Sequence, residues 1–273
     1  MAEALGMTVR LDLGQFGIPS AVIAVFIFIL GLIFGSFFNV VIYRLPKKEP
    51  ISRGRSHCPA CGTQIKEYDL VPLFSYIFLM GRCRACKTRI SPVYPAVELL
   101  TGLIFAGLYL YPAYGFSFLS LGYAMLLSCT LIAAFIDAKT REIPNSLIIV
   151  MIVLGIVHAL LNNEVIWWER LAGIAAGGFP LLLAFILSRG GMGGADMKLM
   201  AAAGIFLGWK LVLVALFAGL ILGAIGGVIT MAVKKTGRKT VIPFGPYLGV
   251  GILVSVFAGS FIIQWYSTIL GLS

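Results

Sequence analysis

Charged residues are scarce in this sequence: Asp, Glu, Lys and Arg make up only 12% of its 273 residues, whereas 60% are hydrophobic. A water-soluble domain of this length has no interior large enough to hide that much apolar surface, so the composition excludes a soluble globular protein. Several apolar runs reach the roughly 20 residues that span a bilayer. The sequence therefore predicts a helical membrane protein with several passes.

Acidic residues are scarcer still: the sequence has 11, compared with 21 Lys and Arg. The formal net charge is therefore +10. This excess does not indicate a nucleic-acid partner, because eighteen of the basic residues are confined to residues 44–92, 138–145, 189–198 and 234–239. Cytoplasmic loops of membrane proteins carry such an excess. The charge pattern predicts that these four segments lie on the cytoplasmic side, with residues 1–19 outside.

Three sequence signals are missing. No G-x-G-x-x-G motif stands at a strand-to-helix junction, and no glycine-rich loop ends in Lys-Ser or Lys-Thr, which argues against a Rossmann domain and against nucleotide hydrolysis. The first apolar run, residues 18–41, is too long and begins too late for a typical cleaved signal peptide, and no small-residue cleavage site follows it. We expect this run to be a true span.

The apolar runs predict an all-α polytopic fold of about eight transmembrane helices. They are expected near residues 18–43, from 95 onward, 117–136, 146–161, 171–188, 198–207, 211–233 and 243–265. The run at 198–207 covers only about half a bilayer at ~1.5 Å per residue, so it is either a short tilted span or a re-entrant hairpin. Asn145 or Ser146 is expected to cap the helix that follows Pro144.

Cysteine is rare, but four of the five cysteines form two close pairs. The spacing is C-x2-C, a gap of 21 residues, and C-x2-C, formed by Cys58, Cys61, Cys83 and Cys86. Four thiolates at this spacing are typical of a zinc ribbon, and a disulfide is disfavoured in a reduced cytoplasmic segment. Because four cysteines leave no open coordination position, the zinc is expected to be structural. Cys129 stands alone in a span and is expected to be a core residue.

Only three acidic residues adjoin apolar spans: Glu98, Asp137 and Asp196. Both aspartates fall on the predicted cytoplasmic side and precede a lysine by two positions, Lys139 and Lys198. If they are close together they share a proton, and then one can activate water while the other polarises a carbonyl, as in aspartyl proteases. The alternative is two unrelated aspartates at the membrane boundary. Glu98 either stands favourably near a helix N-terminus or contacts a cofactor or a substrate amine.

The segment Gly193-Gly194-Ala195-Asp196 resembles the G-x-G-D signature of intramembrane aspartyl proteases. With its other motifs, the chain resembles the bacterial type IV prepilin leader peptidase/N-methyltransferase family. One departure is Ala195, where the signature often has Gly, although a small residue is kept. The matching stretches run in family order and are residues 35–46, the two C-x2-C pairs, residues 91–102, Asp137 with residues 143–145, residues 191–199 and residues 242–246.

This resemblance implies cleavage of the basic leader of prepilins and pseudopilins, after a Gly and before a hydrophobic segment, at the cytoplasmic face of the bacterial inner membrane. It also implies methylation of the new N-terminal amine with S-adenosylmethionine. Asp137 and Asp196 are the implied catalytic pair, and no acyl-enzyme is expected. Prepilin-type substrates and the lipid bilayer are the expected partners, and nucleic acid is not.

The remaining residues near the expected site have two possible roles. Gly193 and Gly194 are expected to let the substrate backbone approach closely. Lys139 and Lys198 either act on the aspartate pair or anchor helix ends at the interface. Glu98 completes the set of expected substrate-contacting residues.

The predicted organisation has three parts: an N-terminal transmembrane helix (1–43), a cytoplasmic zinc-binding domain associated with methyl transfer (44–92) and a membrane-embedded aspartyl peptidase domain (93–273). Two alternatives stay open at this point. One is a peptidase without methyltransferase activity, and the other is a non-enzymatic transport or assembly subunit with a structural zinc domain.

Overall fold

The structure is a computed structural model that describes residues 19–52, 55–162, 164–187, 193–234 and 243–271. Within these residues it contains helices that follow one another with short connections. They are α1 (Ser20–Arg44), α2 (Phe74–Phe78), α3 (Val93–Leu110), α4 (Phe118–Thr140), α5 (Asn145–Leu161), α6 (Trp167–Leu187), α7 (Gly194–Lys234) and α8 (Gly245–Ile269). Short 3₁₀ turns lie at Leu45–Lys47 and Glu67–Leu70.

The helices confirm the predicted all-α membrane class. Six of those described are long and apolar enough to cross a membrane, and α5 is a shorter apolar helix. Helices suit this environment because each satisfies its own backbone hydrogen bonds where no water is available. Parts of the predicted pattern lie outside the described residues: the N-terminal segment 1–18, residues 189–192 of the glycine-rich loop and the basic segment 235–239.

The chain forms two compact units, Met1–Ser117 and Phe118–Ser273. The predicted three-part division at residues 43 and 92 stays a prediction.

In the first unit, α1 and α3 pack closely through glycines. A Cβ atom on Gly31 would lie 2.7 Å from the Cα of Gly102, and one on Gly35 would lie 2.6 Å from the Cα of Glu98. Small residues allow such close approach of two membrane helices. Asn39 adds a bond between them, because its Nδ2 donates to the carbonyl of Tyr94 at 2.9 Å.

In the second unit, α7 is broken at Gly208. This residue has φ 70° and ψ 178°, a conformation outside the helical region and open essentially to glycine alone. The expected division of this stretch into a short and a long apolar segment is confirmed. If the two halves of α7 are counted separately and α5 is included, the described helices supply the eight predicted apolar segments.

The chain reverses at this break. A Cβ atom on Gly177 of α6 would contact both the carbonyl oxygen of Met200 and the Cγ2 of Val212, the latter at 3.0 Å. In a continuous helix these two α7 residues would stand about 18 Å apart along the axis. Both halves of α7 therefore pack against the same stretch of α6.

Several boundary predictions are wrong in detail. Helices α4 and α8 continue to Thr140 and Ile269, each four residues beyond the expected end. Helix α6 begins at Trp167, four residues before the expected start at Leu171, because the helix continues through the amphipathic residues that a hydropathy pattern does not count. Asn145 does not cap α5: the N-cap position is Pro144, which has no side-chain capping bond. The side chain of Asn145 instead accepts a hydrogen bond from Lys198.

Candidate active site and metal centre

Asp137 lies near the carboxyl end of α4 and is only 5% exposed. Its Oδ2 accepts a hydrogen bond from the backbone N–H of Gly245 at 2.8 Å. Gly245 is the first residue of α8, where backbone N–H groups have no partner within the helix. The carboxyl group therefore occupies the anion-binding end of a helix that lies 108 residues further along the chain.

Gly245 must be glycine for this contact. A Cβ atom there would lie 2.9 Å from Oδ2 and 3.0 Å from the Cβ of Asp137. This role of Gly245 was not predicted, although the Pro-Phe-Gly-Pro segment that contains it is among the family-like motifs. A glycine between prolines at the start of a span is the signal that marks this position.

Asp196 lies in the first turn of α7 and is 7% exposed. It lies close enough to Asp137 for the charges of the two carboxyl groups to interact. The structure thus brings together the two aspartates that the sequence pairs, and both are buried in the second unit.

Gly193 and Gly194 precede Asp196, and no close contact with another described residue occupies the space where their Cβ atoms would lie. The nearest atom to a Cβ built on Gly193 is Oδ2 of Asp196, at 3.4 Å, and the nearest to one on Gly194 is in the ring of Phe185, at 4.0 Å. Packing within the described chain therefore does not require glycine at either position. Their expected role against the substrate backbone stays a prediction.

The two lysines that follow the aspartates in sequence have different environments. Lys198 donates from Nζ to Oδ1 of Asn145 at 3.0 Å and so joins the start of α7 to the start of α5. Lys139 lies on the exposed last turn of α4. Contact of either lysine with substrate stays a prediction.

Glu98 is in the first unit, buried in α3. Its Oε2 accepts a hydrogen bond from the backbone N–H of Leu73 at 2.9 Å, and its carboxylate also bonds to Ser36 of α1. The carboxylate thus holds the segment before α2 against the pair α1 and α3. The expected contact of Glu98 with a substrate amine or a cofactor stays a prediction.

The four paired cysteines form one cluster. The sulfur atoms of Cys58, Cys61, Cys83 and Cys86 all lie within 4.8 Å of one another. The Sγ atoms of Cys58 and Cys86 are 3.8 Å apart. A tetrahedral zinc–thiolate centre has Zn–S bonds of about 2.3 Å, which places its sulfurs about 3.8 Å apart. The cluster fits a four-coordinate metal.

Each cysteine pair sits in the same small turn. The amide of Cys58 donates to the carbonyl of Thr63 at 2.9 Å, and the amide of Cys83 donates to the carbonyl of Thr88 at 2.8 Å. The residue after the second cysteine of each pair has positive φ, 70° at Gly62 and 59° at Lys87. This repeat follows a pattern that the sequence analysis missed, Cys-x-Ala-Cys-x-Thr, which occurs twice.

The threonines of this repeat lower the thiol pKa of the second cysteine in each pair. Thr88, through its hydroxyl and then its backbone, lowers the pKa of the Cys86 thiol to about 6. Thr63 lowers the pKa of Cys61 in the same way. A lower thiol pKa favours the thiolate, which is the form that binds metal.

An ion pair links the second cysteine pair to the preceding 3₁₀ turn. Arg84 donates to both carboxylate oxygens of Asp69, with Nη2 to Oδ1 at 2.6 Å and Nε to Oδ2 at 2.9 Å. The hydrogen bond from Arg84 holds the pKa of Asp69 below its usual range. Two-point contacts of this kind fix orientation as well as distance.

Two further buried residues have packing roles. Cys129 is buried in α4, as expected for a core residue. His158 is buried in α5, with its ring stacked on Phe206 at 5.6 Å between centroids and its Nε2 3.2 Å from Nδ2 of Asn162.

Comparison with known proteins finds two family models that match this sequence. Residues 29–111, which include the four cysteines, match the Bacterial Peptidase A24 N-terminal domain. Residues 124–228, which include both aspartates, match the Type IV leader peptidase family. No solved structure matches the chain.

Several curated proteins are similar over most of the chain. The prepilin leader peptidase/N-methyltransferase of Bacillus subtilis (strain 168) is 32% identical, over 88% of this chain and 96% of that protein. The protein of the same name from Aeromonas salmonicida (strain A449) is 34% identical, over 97% and 100%. That of Neisseria gonorrhoeae is 34% identical, over 87% and 89%. On this similarity, the chain belongs to the prepilin leader peptidase/N-methyltransferase family, a family of multi-pass membrane enzymes.

Proposed function

We propose that this enzyme cleaves the leader peptide from prepilins or pseudopilins and then methylates the new N-terminal amine. The observation that carries the peptidase part is the buried pair Asp137 and Asp196, placed near each other by α4 and α7. Two neighbouring carboxyl groups that share one proton supply the acid and the base that peptide hydrolysis needs.

The hydrogen bond from Gly245 assigns a different role to each aspartate. Asp137 accepts that N–H at a helix N-terminus and holds the negative charge, so it is the base. Asp196 holds the shared proton, so it is the acid. The oxygen of a water molecule attacks the scissile carbonyl carbon, while Asp137 takes a proton from that water and Asp196 gives its proton to the carbonyl oxygen.

The tetrahedral intermediate then collapses without a covalent bond to the enzyme. The C–N bond breaks, the leaving nitrogen takes the proton held by Asp137, and a hydroxyl of the intermediate returns its proton to Asp196. The products are the leader with a new carboxyl group and the pilin with a new amine, and the pair regains its single proton. The open space at Gly193 and Gly194 leaves room for an extended substrate beside Asp196.

The test is Asp137→Asn and Asp196→Asn in purified enzyme incubated with prepilin. Each change keeps the side-chain shape but removes the acid or the base, so we expect each to lower the cleavage rate by about 10²-fold or more. Glu142→Gln, an exposed neighbour of α4, is the matched control. Either aspartate variant cleaving near the wild-type rate, with its thermal unfolding midpoint unchanged, would show that the pair is not catalytic.

Zinc is the metal that we assign to the four cysteines. Four thiolates at tetrahedral spacing suit Zn²⁺, and a site with four protein ligands has no position open for substrate. The metal therefore stabilises the small domain around it rather than taking part in hydrolysis.

S-adenosylmethionine is the methyl donor that we assign, on the family resemblance of the sequence. A cavity of about 470 Å³ near Tyr68 does not fit this cation, because its charged groups are Asp69 and Arg84, which already pair with each other. We therefore route no chemical step through a particular binding site. The test is mass spectrometry of the processed pilin with and without the donor. A cleaved pilin that never gains a methyl group would leave a peptidase alone.

The active site is assigned to the cytoplasmic face of the bacterial inner membrane. The support is the basic charge of the segments 44–92 and 138–145, which border the ends of α1, α3, α4 and α5.

A further inference from the structure

The cysteine domain contains an apolar segment that its metal centre does not explain. Residues 70–81 carry no charged side chain over twelve positions. An apolar run of about 10–14 residues is too short to span a bilayer, but its length is typical of a buried helix or an interfacial segment. The structure excludes burial, because Ile77 is 69% exposed, Phe78 80% and Met80 85%.

The same segment is tied to the membrane helices well inside their ends. The N–H of Leu73 bonds to Glu98, which lies five residues after the start of α3, or about 7 Å along the axis. The backbone of Glu98 also packs against Gly35, which lies nine residues before the end of α1, or about 14 Å. The start of α2 therefore lies level with residues inside α1 and α3, not beyond the ends of these helices.

The exposed apolar surface of the segment continues that of α1. A cavity of about 490 Å³ is lined by Ile29 and Ile33 of α1 together with Leu70, Val71 and Phe74. Both isoleucines belong to a membrane span and are exposed on its surface. Phe74 is exposed as well. Ser36 and Glu67 also line the cavity, but most of its lining is apolar and joins the surface of the span to that of the segment.

Charged residues stand only at the two ends of the segment. Lys66, Glu67 and Asp69 precede it, and Arg82 and Arg84 follow it. A short apolar element with charged residues at both ends and exposed aromatic side chains is typical of chain that lies in the headgroup region of a bilayer.

We propose that residues 70–81 insert into the lipid leaflet on the side of the cysteine domain and hold that domain against the membrane surface. Phospholipid covers the exposed face that is formed by Phe74, Ile77, Phe78 and Met80. The metal-binding turns at Cys58–Thr63 and Cys83–Thr88 flank this anchor in sequence, so lipid contact positions the metal centre beside the bilayer. This inference is independent of the peptidase activity.

The first test uses the full-length protein in nanodiscs of phosphatidylethanolamine and phosphatidylglycerol, with benzoylphenylalanine placed at Phe78. We expect light-induced adducts with phospholipid, identified by mass spectrometry. The matched control carries the same probe at Gln64, an exposed position in the first cysteine turn, and is expected to give none. Metal content verifies that each variant is folded.

Other outcomes of this experiment overturn the proposal. Absence of lipid adducts at position 78 shows that the face is in water. Adducts with a second copy of the chain assign the face to a dimer interface. If added prepilin replaces lipid as the partner that is cross-linked, the face is a substrate surface.

A second test compares Phe78→Asp with Phe78→Leu. Because this side chain is largely exposed, neither change disturbs packing within the protein, but the aspartate opposes insertion into lipid. We expect trypsin to cut after Arg82 or Arg84 several-fold faster in the aspartate variant in nanodiscs, and at equal rates for both variants in detergent. Equal rates in nanodiscs would contradict lipid insertion.

Discussion

At the scale of the residue, Gly208 decides where Asp196 lies. It stands at the point where α7 breaks, in a conformation that residues with a side chain rarely adopt. The segment Gly194–Leu207 before it is about 21 Å long and carries Asp196 in its first turn. The backbone of one residue thus ends the short helix that holds half of the proposed catalytic pair.

We expect Gly208→Ala to lower the free energy of unfolding by about 1–3 kcal/mol, because its φ of 70° and ψ of 178° strain any residue with a Cβ atom. Thermal unfolding in detergent measures the effect. Gly249→Ala is the control: this glycine lies in α8 with ordinary helical backbone, and the nearest atom to its Cβ would be 3.3 Å away. Equal midpoints for the two variants would refute the strain argument.

At the scale of the element, Arg170 ties α6 and the loop before it to the short half of α7. This buried guanidinium donates to the carbonyls of Ile205 at 2.8 Å, Asn162 at 2.9 Å and Val165 at 3.1 Å. The carbonyl of Ile205 needs such a donor, because the break at Gly208 removes the next helical turn.

We expect Arg170→Met to destabilise the protein by about 3 kcal/mol or more, since it leaves three carbonyl groups without this donor. Arg170→Lys is expected to recover only part of the loss, because an ammonium group cannot reach three acceptors in a plane. Lys210→Met, an exposed lysine beyond the break, serves as the comparison. If thermal unfolding shows Arg170→Met to be as stable as that control, Arg170 has no such role.

The two turns that carry the paired cysteines are the second element for which a prediction can be tested. We expect Cys86→Ser to lower the metal content from about one ion per chain to less than a tenth of that, because a hydroxyl replaces a thiolate ligand. Elemental analysis of the purified protein measures this ratio. Cys129→Ser, which alters the lone cysteine of α4, is expected to keep the metal. Full metal content in Cys86→Ser would exclude the four-cysteine site.

At the scale of the whole molecule, the distribution of charge predicts topology. We expect reporter fusions after Thr88 and after Glu142 to report the cytoplasm, because basic segments adjoin both points. A fusion after Glu164, between α5 and α6, is expected to report the opposite side. Alkaline phosphatase and green fluorescent protein activities provide the paired readout. Opposite sides for Thr88 and Glu142 would overturn the proposed orientation.

Most of the membrane helices could be predicted because apolar runs of sufficient length have few other structures available in lipid. Helix ends were predicted less well. The start of α6 at Trp167 precedes the apolar run, and Asn145 bonds to Lys198 across helices rather than capping its own. Both errors arise because hydropathy and local capping patterns ignore contacts with distant parts of the chain.

Among the residues of the candidate sites, some features could be predicted from the sequence and others could not. The cysteine ligands follow from spacing alone, since each pair sits in one short turn whose geometry is local. The partner of Glu98 could not be predicted, because the amide of Leu73 is 25 residues away and any backbone N–H would satisfy a carboxylate.

The sequence by itself determined the membrane class, the four paired cysteines and the identity of the two aspartates, because composition, spacing and motif are properties of the chain. Only the tertiary structure decided that the N–H of Gly245 meets Asp137 and that α7 reverses at Gly208. It also decided that Phe74, Ile77, Phe78 and Met80 are exposed and that Phe74 lines a cavity together with α1. The physical reason is that these features depend on which helix surfaces pack together, and packing joins residues that no local pattern connects.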